Sequence, residues 1–178
     1  MVQNSVMDME DPMKAIRMVA TLVVTAALIV PASIAVAGDA LDVGYPEGYR
    51  DWTHVKSMVI FSDKHPLFGA FGGIHHVYAN DMATKALKAK KPLPSGSAIV
   101  FDLLEISESS GAYVEGARKF VAVMEYNDKY KKSSGWGWQV FAGDTKDAQL
   151  GTLADQVACA TCHEEVKSAQ FVFSEWRK

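Results

Sequence analysis

Cysteine is scarce in this 178-residue sequence, basic residues are not in excess, and no apolar run is long enough for a typical membrane-spanning helix. With 18 basic and 21 acidic residues, the chain lacks the positive surplus that nucleic-acid binding requires. Hydrophobic residues make up 49% and charged residues 22%, a composition that excludes wholesale disorder. The length fits one domain, or one domain plus a targeting segment.

The N-terminal part has the three regions of a secretory signal peptide. Residues 18–30 carry no charge, a lysine and an arginine precede them, and a small-x-small cleavage signal ends at Ala37. We therefore expect residues 1–37 to be a cleaved signal peptide and residues 38–178 to be one periplasmic domain. The alternative is that the N-terminal segment stays uncleaved as an anchor.

The two cysteines belong to one motif, Cys159-Ala160-Thr161-Cys162-His163. This C-x-x-C-H pattern is typical of c-type haem attachment, in which each thiol adds to one haem vinyl group. The adjacent imidazole then binds the iron, so His163 is the predicted metal ligand. A redox C-x-x-C motif is the alternative, but the βαβ pattern that it requires is missing. With no further cysteine, the sequence predicts one covalent haem c and no disulfide.

No methionine follows His163, whereas small electron-transfer cytochromes usually carry a ligating methionine downstream of the motif. This pattern favours a five-coordinate haem with an open distal face. Four histidines remain as alternative sixth ligands: His54, His65, His75 and His76.

Hydrophobic periodicity predicts an α+β fold. Residues 49–59 have apolar side chains at helical spacing, and the segments rich in β-branched and aromatic residues predict an antiparallel sheet. Asn80 is a predicted helix cap, and Pro92 follows the helix that it begins. The predicted order is a helix (49–59), a strand (74–79), a helix (80–91), three strands (97–106, 120–126 and 136–141) and a helix (146–165).

Several motifs together resemble the cytochrome P-460 family, and within it the branch called cytochrome c′-β. The resemblance covers the whole predicted mature domain. It implies a homodimer with a large curved antiparallel sheet, a five-coordinate haem and a distal pocket on the sheet. The matching segments are Tyr45-Pro46-x-Gly48-Tyr49-Arg50-x-Trp52, residues 74–78, 96–105, 135–138, 159–163 and 171–173.

The family resemblance also assigns residues to the distal pocket. Hydroxylamine-oxidising members carry a lysine cross-linked to the porphyrin, and that position matches Phe101 in this sequence. Their distal carboxylate matches a position near Phe120. Phe71, or alternatively Phe68, is expected to supply a second aromatic cap. Arg118 is a further candidate, for the haem edge or a propionate.

The residues support this interpretation independently, because Ile99, Phe101 and Leu103 share one face of a strand. A phenylalanine above the iron excludes water and donates no hydrogen bond, which favours NO and CO over O₂. We therefore predict a protein that binds nitric oxide or CO, to scavenge or sense NO, together with an unidentified redox partner. The alternatives are a hydroxylamine-oxidising or NO-oxidising enzyme and a plain electron-transfer cytochrome.

Overall fold

The computed structural model describes residues 42–178, except for the side chains of residues 132, 133 and 153. The predicted signal peptide, residues 1–37, therefore lies outside the described residues. Five antiparallel strands form one open sheet in the order β1-β2-β3-β4-β5. The strands are β1 Thr53–Ile60, β2 Gly73–Ala79, β3 Ser97–Ser109, β4 Ala112–Tyr126 and β5 Trp136–Ala142. The helices are α1 Phe68–Phe71, α2 Asp81–Ala89 and α3 Leu153–His163, with 3₁₀ turns at Tyr49–Asp51, Asp128–Ser133 and Glu164–Ala169.

The sheet has two faces, which alternate along each strand. The face that carries Ile99, Phe101 and Leu103 is called the front face here, and the face that carries Val100 and Asp102 is called the back face. The register places side chains of the front face in cross-strand rows. Two of these rows are His75–Leu103–Phe120–Ala142 and Ala79–Ile99–Met124–Trp138.

Each face packs its own hydrophobic cluster. The front cluster contains Val77, Ile99, Met124, Trp136 and Trp138, together with residues of α2 and of the C-terminal segment. The back cluster is formed by Val43, Tyr49, Val100, Val121, Val123, Tyr130 and Phe141. Because both faces are covered, the sequences of the middle strands are nearly continuous apolar runs. One antiparallel sheet with separate flanking helices confirms the α+β prediction.

Helix α2 confirms the predicted cap. The Asn80 side chain accepts a hydrogen bond from the Ala83 N–H at 2.9 Å. The helix ends at Ala89. The next residue, Lys90, caps it with a left-handed φ of 52°, and Pro92 prevents its continuation.

The predicted helix over residues 49–59 is wrong. This segment contains a short 3₁₀ turn followed by β1, which pairs with β2. The register of β1 shifts between His54 and Lys56, so Val55 is the extra residue of a bulge. This bulge breaks the two-residue alternation, and the resulting spacing of apolar residues resembles that of a helix.

Two other boundaries differ from the prediction. The last helix begins at Leu153 because the preceding segment hydrogen-bonds to the edge of β5, where Gln149 N donates to Val140 O at 2.8 Å. Strand β4 begins at Ala112, so the polar stretch before Phe120 is also strand. No helix among residues 42–178 is long and apolar enough to cross a membrane.

Candidate haem site

Helix α3 positions the C-x-x-C-H motif in its last turns. A capping box fixes its first turn: the Thr152 hydroxyl accepts from the Asp155 N–H at 3.3 Å, and the Asp155 carboxylate accepts from the Thr152 N–H at 2.9 Å. The helix then runs through both cysteines and ends at His163. The motif is therefore presented on a regular element with a defined start.

Both cysteines are free thiols, and their three-residue separation places them on neighbouring positions of α3. Cys159 is half-buried and packs against the front cluster, whereas Cys162 is exposed. Burial raises the pKa of the Cys159 thiol. Two free thiols at this spacing are the donor set that thioether attachment of a haem requires.

His163 is held in an orientation that suits metal binding. Its Nδ1 lies 2.6 Å from the carbonyl oxygen of Phe171, which can only accept, so Nδ1 carries the proton. Nε2 is then left with its lone pair for a metal. Burial lowers the pKa of His163, which favours the neutral, ligating imidazole. The ring also contacts Trp138 and Phe173, at centroid distances of 4.4 and 4.8 Å.

The carbonyl that orients His163 is itself fixed by the C-terminal segment. Gln170 and Phe171 both have left-handed φ angles, 57° and 65°, which turn the chain back towards the helix. The Gln170 side chain exchanges two hydrogen bonds with the backbone of Leu93, at 2.6 and 3.2 Å. Trp136 Nε1 donates to Gln170 O at 3.0 Å. Gln170 was not predicted from the sequence, because two successive left-handed residues give no strong sequence signal when neither is a glycine.

Three of the predicted distal residues meet on the front face. Phe101 lies 5.8 Å from Phe71 and 6.0 Å from Phe120, and Phe71 lies 6.1 Å from Phe120, all between ring centroids. These side chains come from β3, α1 and β4. His75, on β2, stacks on Phe101 at 4.3 Å. We call Phe71, Phe101 and Phe120 the aromatic cluster.

The aromatic cluster and helix α3 share one hydrophobic core. Phe101 packs against the front cluster, as do Cys159 and Ala160 of α3. One cross-strand row ends in Trp138, whose ring contacts His163. Only the row of Phe101 lies between that row and the row of His75 and Phe120. The front face therefore carries the predicted proximal and distal residues together.

Unpartnered polar atoms are found on this same face. Among the described residues, three buried side-chain atoms have no hydrogen-bond partner: His75 Nδ1, Ser97 Oγ and Trp138 Nε1. The strand register places all three residues on the front face. A buried polar atom without a partner costs about 1–3 kcal/mol. These atoms fit a face that receives a group bearing polar substituents.

Arg118 lies elsewhere. Its Nε donates to Asp102 Oδ1 at 2.7 Å on the back face, and its guanidinium also pairs with Asp144. Tyr49 and Arg50 donate to the other Asp102 oxygen at 2.9 and 3.0 Å. The hydrogen bond to Asp102 raises the pKa of Arg118. The structure does not bring Arg118 to the aromatic cluster, and its assignment to the haem stays a prediction.

The four histidines considered as sixth ligands lie in different surroundings, and three of them are away from the aromatic cluster. His54 and His76 both hydrogen-bond Ser57, at 2.9 and 2.6 Å, and His76 pairs with Glu115 on the back face. His65 accepts from the Leu67 N–H at 3.2 Å. His75 alone among the four contacts the aromatic cluster. No group of three or more metal-ligating side chains occurs within residues 42–178.

In a comparison with family models, residues 46–174 match the cytochrome P460 model. The chain belongs to the cytochrome P460 family. A comparison with curated proteins finds no match. The family implies a haem cofactor, and the two thiols, the oriented His163 and the unpartnered front-face atoms fit such a group.

Proposed function

We propose that this cytochrome P460 family member is an exported haem c protein of the cytochrome c′-β branch, which binds nitric oxide or CO. Cys159 and Cys162 would hold one haem through thioether bonds, and His163 would be its proximal ligand. When bound, the haem supplies an iron centre with one coordination position open to a small ligand. The protein's own residues then determine what reaches that position.

The aromatic cluster carries this proposal. Phe101 stands where the hydroxylamine-oxidising relatives are expected to have a lysine, and its ring is supported by Phe71 and Phe120. Three phenylalanine rings exclude water and offer no acid or base for oxidative chemistry. A small neutral ligand can enter such a pocket by displacing a ring, without removing a bound water first.

The proximal residues support the same function. Trp138 and Phe173 contact the His163 ring, and the Phe171 carbonyl accepts its Nδ1 proton. The ring is therefore held on two sides, and its ligating nitrogen keeps a fixed direction. A neutral backbone acceptor, unlike a carboxylate, adds little negative charge to the imidazole.

Titration of the reduced holoprotein with CO and NO tests the proposal. We expect saturable binding of one equivalent of each gas and no turnover of hydroxylamine with an artificial electron acceptor. Hydroxylamine consumption at a rate above that of free haem would contradict the gas-binding function. If the aromatic cluster is altered by Phe101→Ala, the Phe141→Ala variant is the matched control for a general loss of packing, because it alters only the back cluster.

Hydroxylamine oxidation is the second candidate, and one observation favours it. Lys119 immediately precedes Phe120, and its Nζ donates to the carbonyl of Gly72 at 2.9 Å, next to Phe71. A lysine amine is thus present beside the aromatic cluster, although not on β3. Mass spectrometry of haem peptides would distinguish the two functions, because a lysine adduct links a second peptide to the porphyrin.

Export and dimerisation belong to the same proposal. Thioether attachment takes place outside the cytoplasm, which agrees with the predicted signal peptide of residues 1–37. Phe61 and Tyr113 stack at a centroid distance of 6.3 Å although they are 66% and 58% exposed. An exposed apolar patch of this kind supports burial against a second copy of the chain. Light scattering tests this proposal. We expect the wild-type protein to be a dimer and the Tyr113→Glu variant to be a monomer.

A further inference from the structure

His75 is the polar side chain that borders the aromatic cluster. It is 2% exposed, and its ring stacks on Phe101 at a centroid distance of 4.3 Å and an interplanar angle of 28°. In the strand register it is the partner of Leu103, whose other neighbour is Phe120. The imidazole is therefore on the front face, at the edge of the predicted ligand pocket.

One ring nitrogen of His75 is left unpaired by the part of the chain that the structure describes. Nδ1 is buried without a hydrogen-bond partner among the described residues. Its neighbour His76, on the back face, has both ring nitrogens hydrogen-bonded, to Ser57 and Glu115. A buried imidazole without a partner is destabilising, and an apolar side chain of similar size would avoid that penalty. The cost is offset if the nitrogen meets a polar partner in the pocket.

We propose that His75 is the hydrogen-bond donor of the ligand pocket, acting on the diatomic ligand or on a water beside it. This inference rests on the proposed function, and it deepens it: the pocket combines phenylalanine rings that exclude bulk water with one neutral imidazole N–H. A neutral imidazole always has one donor and one acceptor nitrogen. Burial lowers the pKa of His75 to about 4, so the ring is neutral near pH 7.

A single donor in an otherwise apolar pocket determines ligand preference. Ligands that gain negative charge when bound are stabilised by an N–H, whereas CO gains little. Compared with a pocket of phenylalanine rings alone, a pocket with His75 thus has its ligand preference shifted from CO towards NO and O₂. Its second effect is on Phe101, because the stacked ring limits the movement of the phenylalanine that the ligand displaces.

Two substitutions separate the donor from the stacked ring. His75→Phe keeps an aromatic ring against Phe101 and removes both nitrogens. His75→Gln keeps an N–H donor and removes the ring. His76→Phe is the matched control, since it changes the adjacent residue of the same strand on the back face.

The CO stretching band of the reduced holoprotein is the readout, because its frequency reports the field at the ligand. We expect the band to move to higher wavenumber in His75→Phe, to return towards wild type in His75→Gln, and to stay unchanged in His76→Phe. The NO dissociation rate should rise about five-fold in His75→Phe, the equivalent of one lost neutral hydrogen bond. The wild-type band should also shift in D₂O, a measurement that needs no variant to fold.

The outcomes separate this inference from the proposed function. A His75→Phe band and NO dissociation rate equal to wild type, with CO still bound, would show that His75 donates nothing to the ligand, while gas binding stands. A wild-type band insensitive to D₂O would overturn the inference in the same way. A wild-type protein that binds neither gas would overturn both.

Discussion

Replacing Phe101 by alanine removes the ring that we place over the open coordination position. The ring contacts His75, Phe71 and Phe120, at centroid distances of 4.3, 5.8 and 6.0 Å. Without it, water can enter the pocket, and ferric haem should change from five- to six-coordination. Ligand association should become faster, because no ring has to move aside.

The size of the effect follows from these contacts. An aromatic pair contributes about 0.5–1.5 kcal/mol beyond its buried area. A ligand that displaces Phe101 disrupts at least one such pair, so the alanine variant should bind CO about tenfold faster. Phe101 is half-buried, which places the loss of folding stability near the lower end of the Phe→Ala range, at about 3 kcal/mol.

Stopped-flow CO binding and the ferric absorption spectrum measure the two effects. Phe141→Ala on the back face should lose at least as much stability and leave CO binding unchanged, since Phe141 is 3% exposed and belongs to the other cluster. A folded Phe101→Ala protein with wild-type coordination and CO kinetics would show that Phe101 does not cap the iron. Phe101 would then be ordinary core, and the gas-binding proposal would lose its main support.

Haem attachment, stability in acid and the ion pair of the back face can each be tested by substitution. The double variant Cys159→Ala with Cys162→Ala should release haem into acidified acetone; haem that stays with the protein would contradict thioether attachment. Since the pKa of His75 is about 4 when folded and 6.5 when unfolded, the unfolded chain takes up the proton first as pH falls. As pH falls from 6.5 to 4, His75 should therefore lower the free energy of unfolding by about 1.4 kcal/mol per pH unit. Above pH 6.5 it should make no such contribution. Urea titrations should show this slope reduced in His75→Phe, and an equal slope would contradict it. Asp102→Asn should cost about 3 kcal/mol in urea unfolding, because it leaves the Arg118 charge without its buried partner; the haem spectrum should not change.

The central strands could be predicted from the sequence, and the C-x-x-C-H motif could be recognised in it, because both signals are local. Cys159 and His163 are covered by five consecutive residues whose spacing is set by chemistry. Strands β3 and β5 are apolar and bounded by turn residues, so their existence does not depend on distant partners. The bulge at Val55 does depend on pairing with β2, and for that reason periodicity predicted a helix there.

The surroundings of the site could not be predicted because they depend on long-range contacts. Gln170 orients the segment at His163 through the backbone of Leu93, 77 residues away in sequence. His75 and His76 are adjacent and chemically identical, and only the register of the sheet shows which one contacts Phe101. Residue spacing predicted a haem, but the fold was needed to find that His75 is the histidine beside Phe101.

An anaerobic absorption spectrum of the purified holoprotein, recorded with and without NO, distinguishes a gas-binding protein from both alternatives. We predict a five-coordinate high-spin haem without the strong red shift of a lysine adduct, and a complete change of the spectrum on addition of one equivalent of NO. A red-shifted spectrum typical of a lysine–porphyrin cross-link, or a six-coordinate low-spin spectrum that NO leaves unchanged, would contradict this prediction.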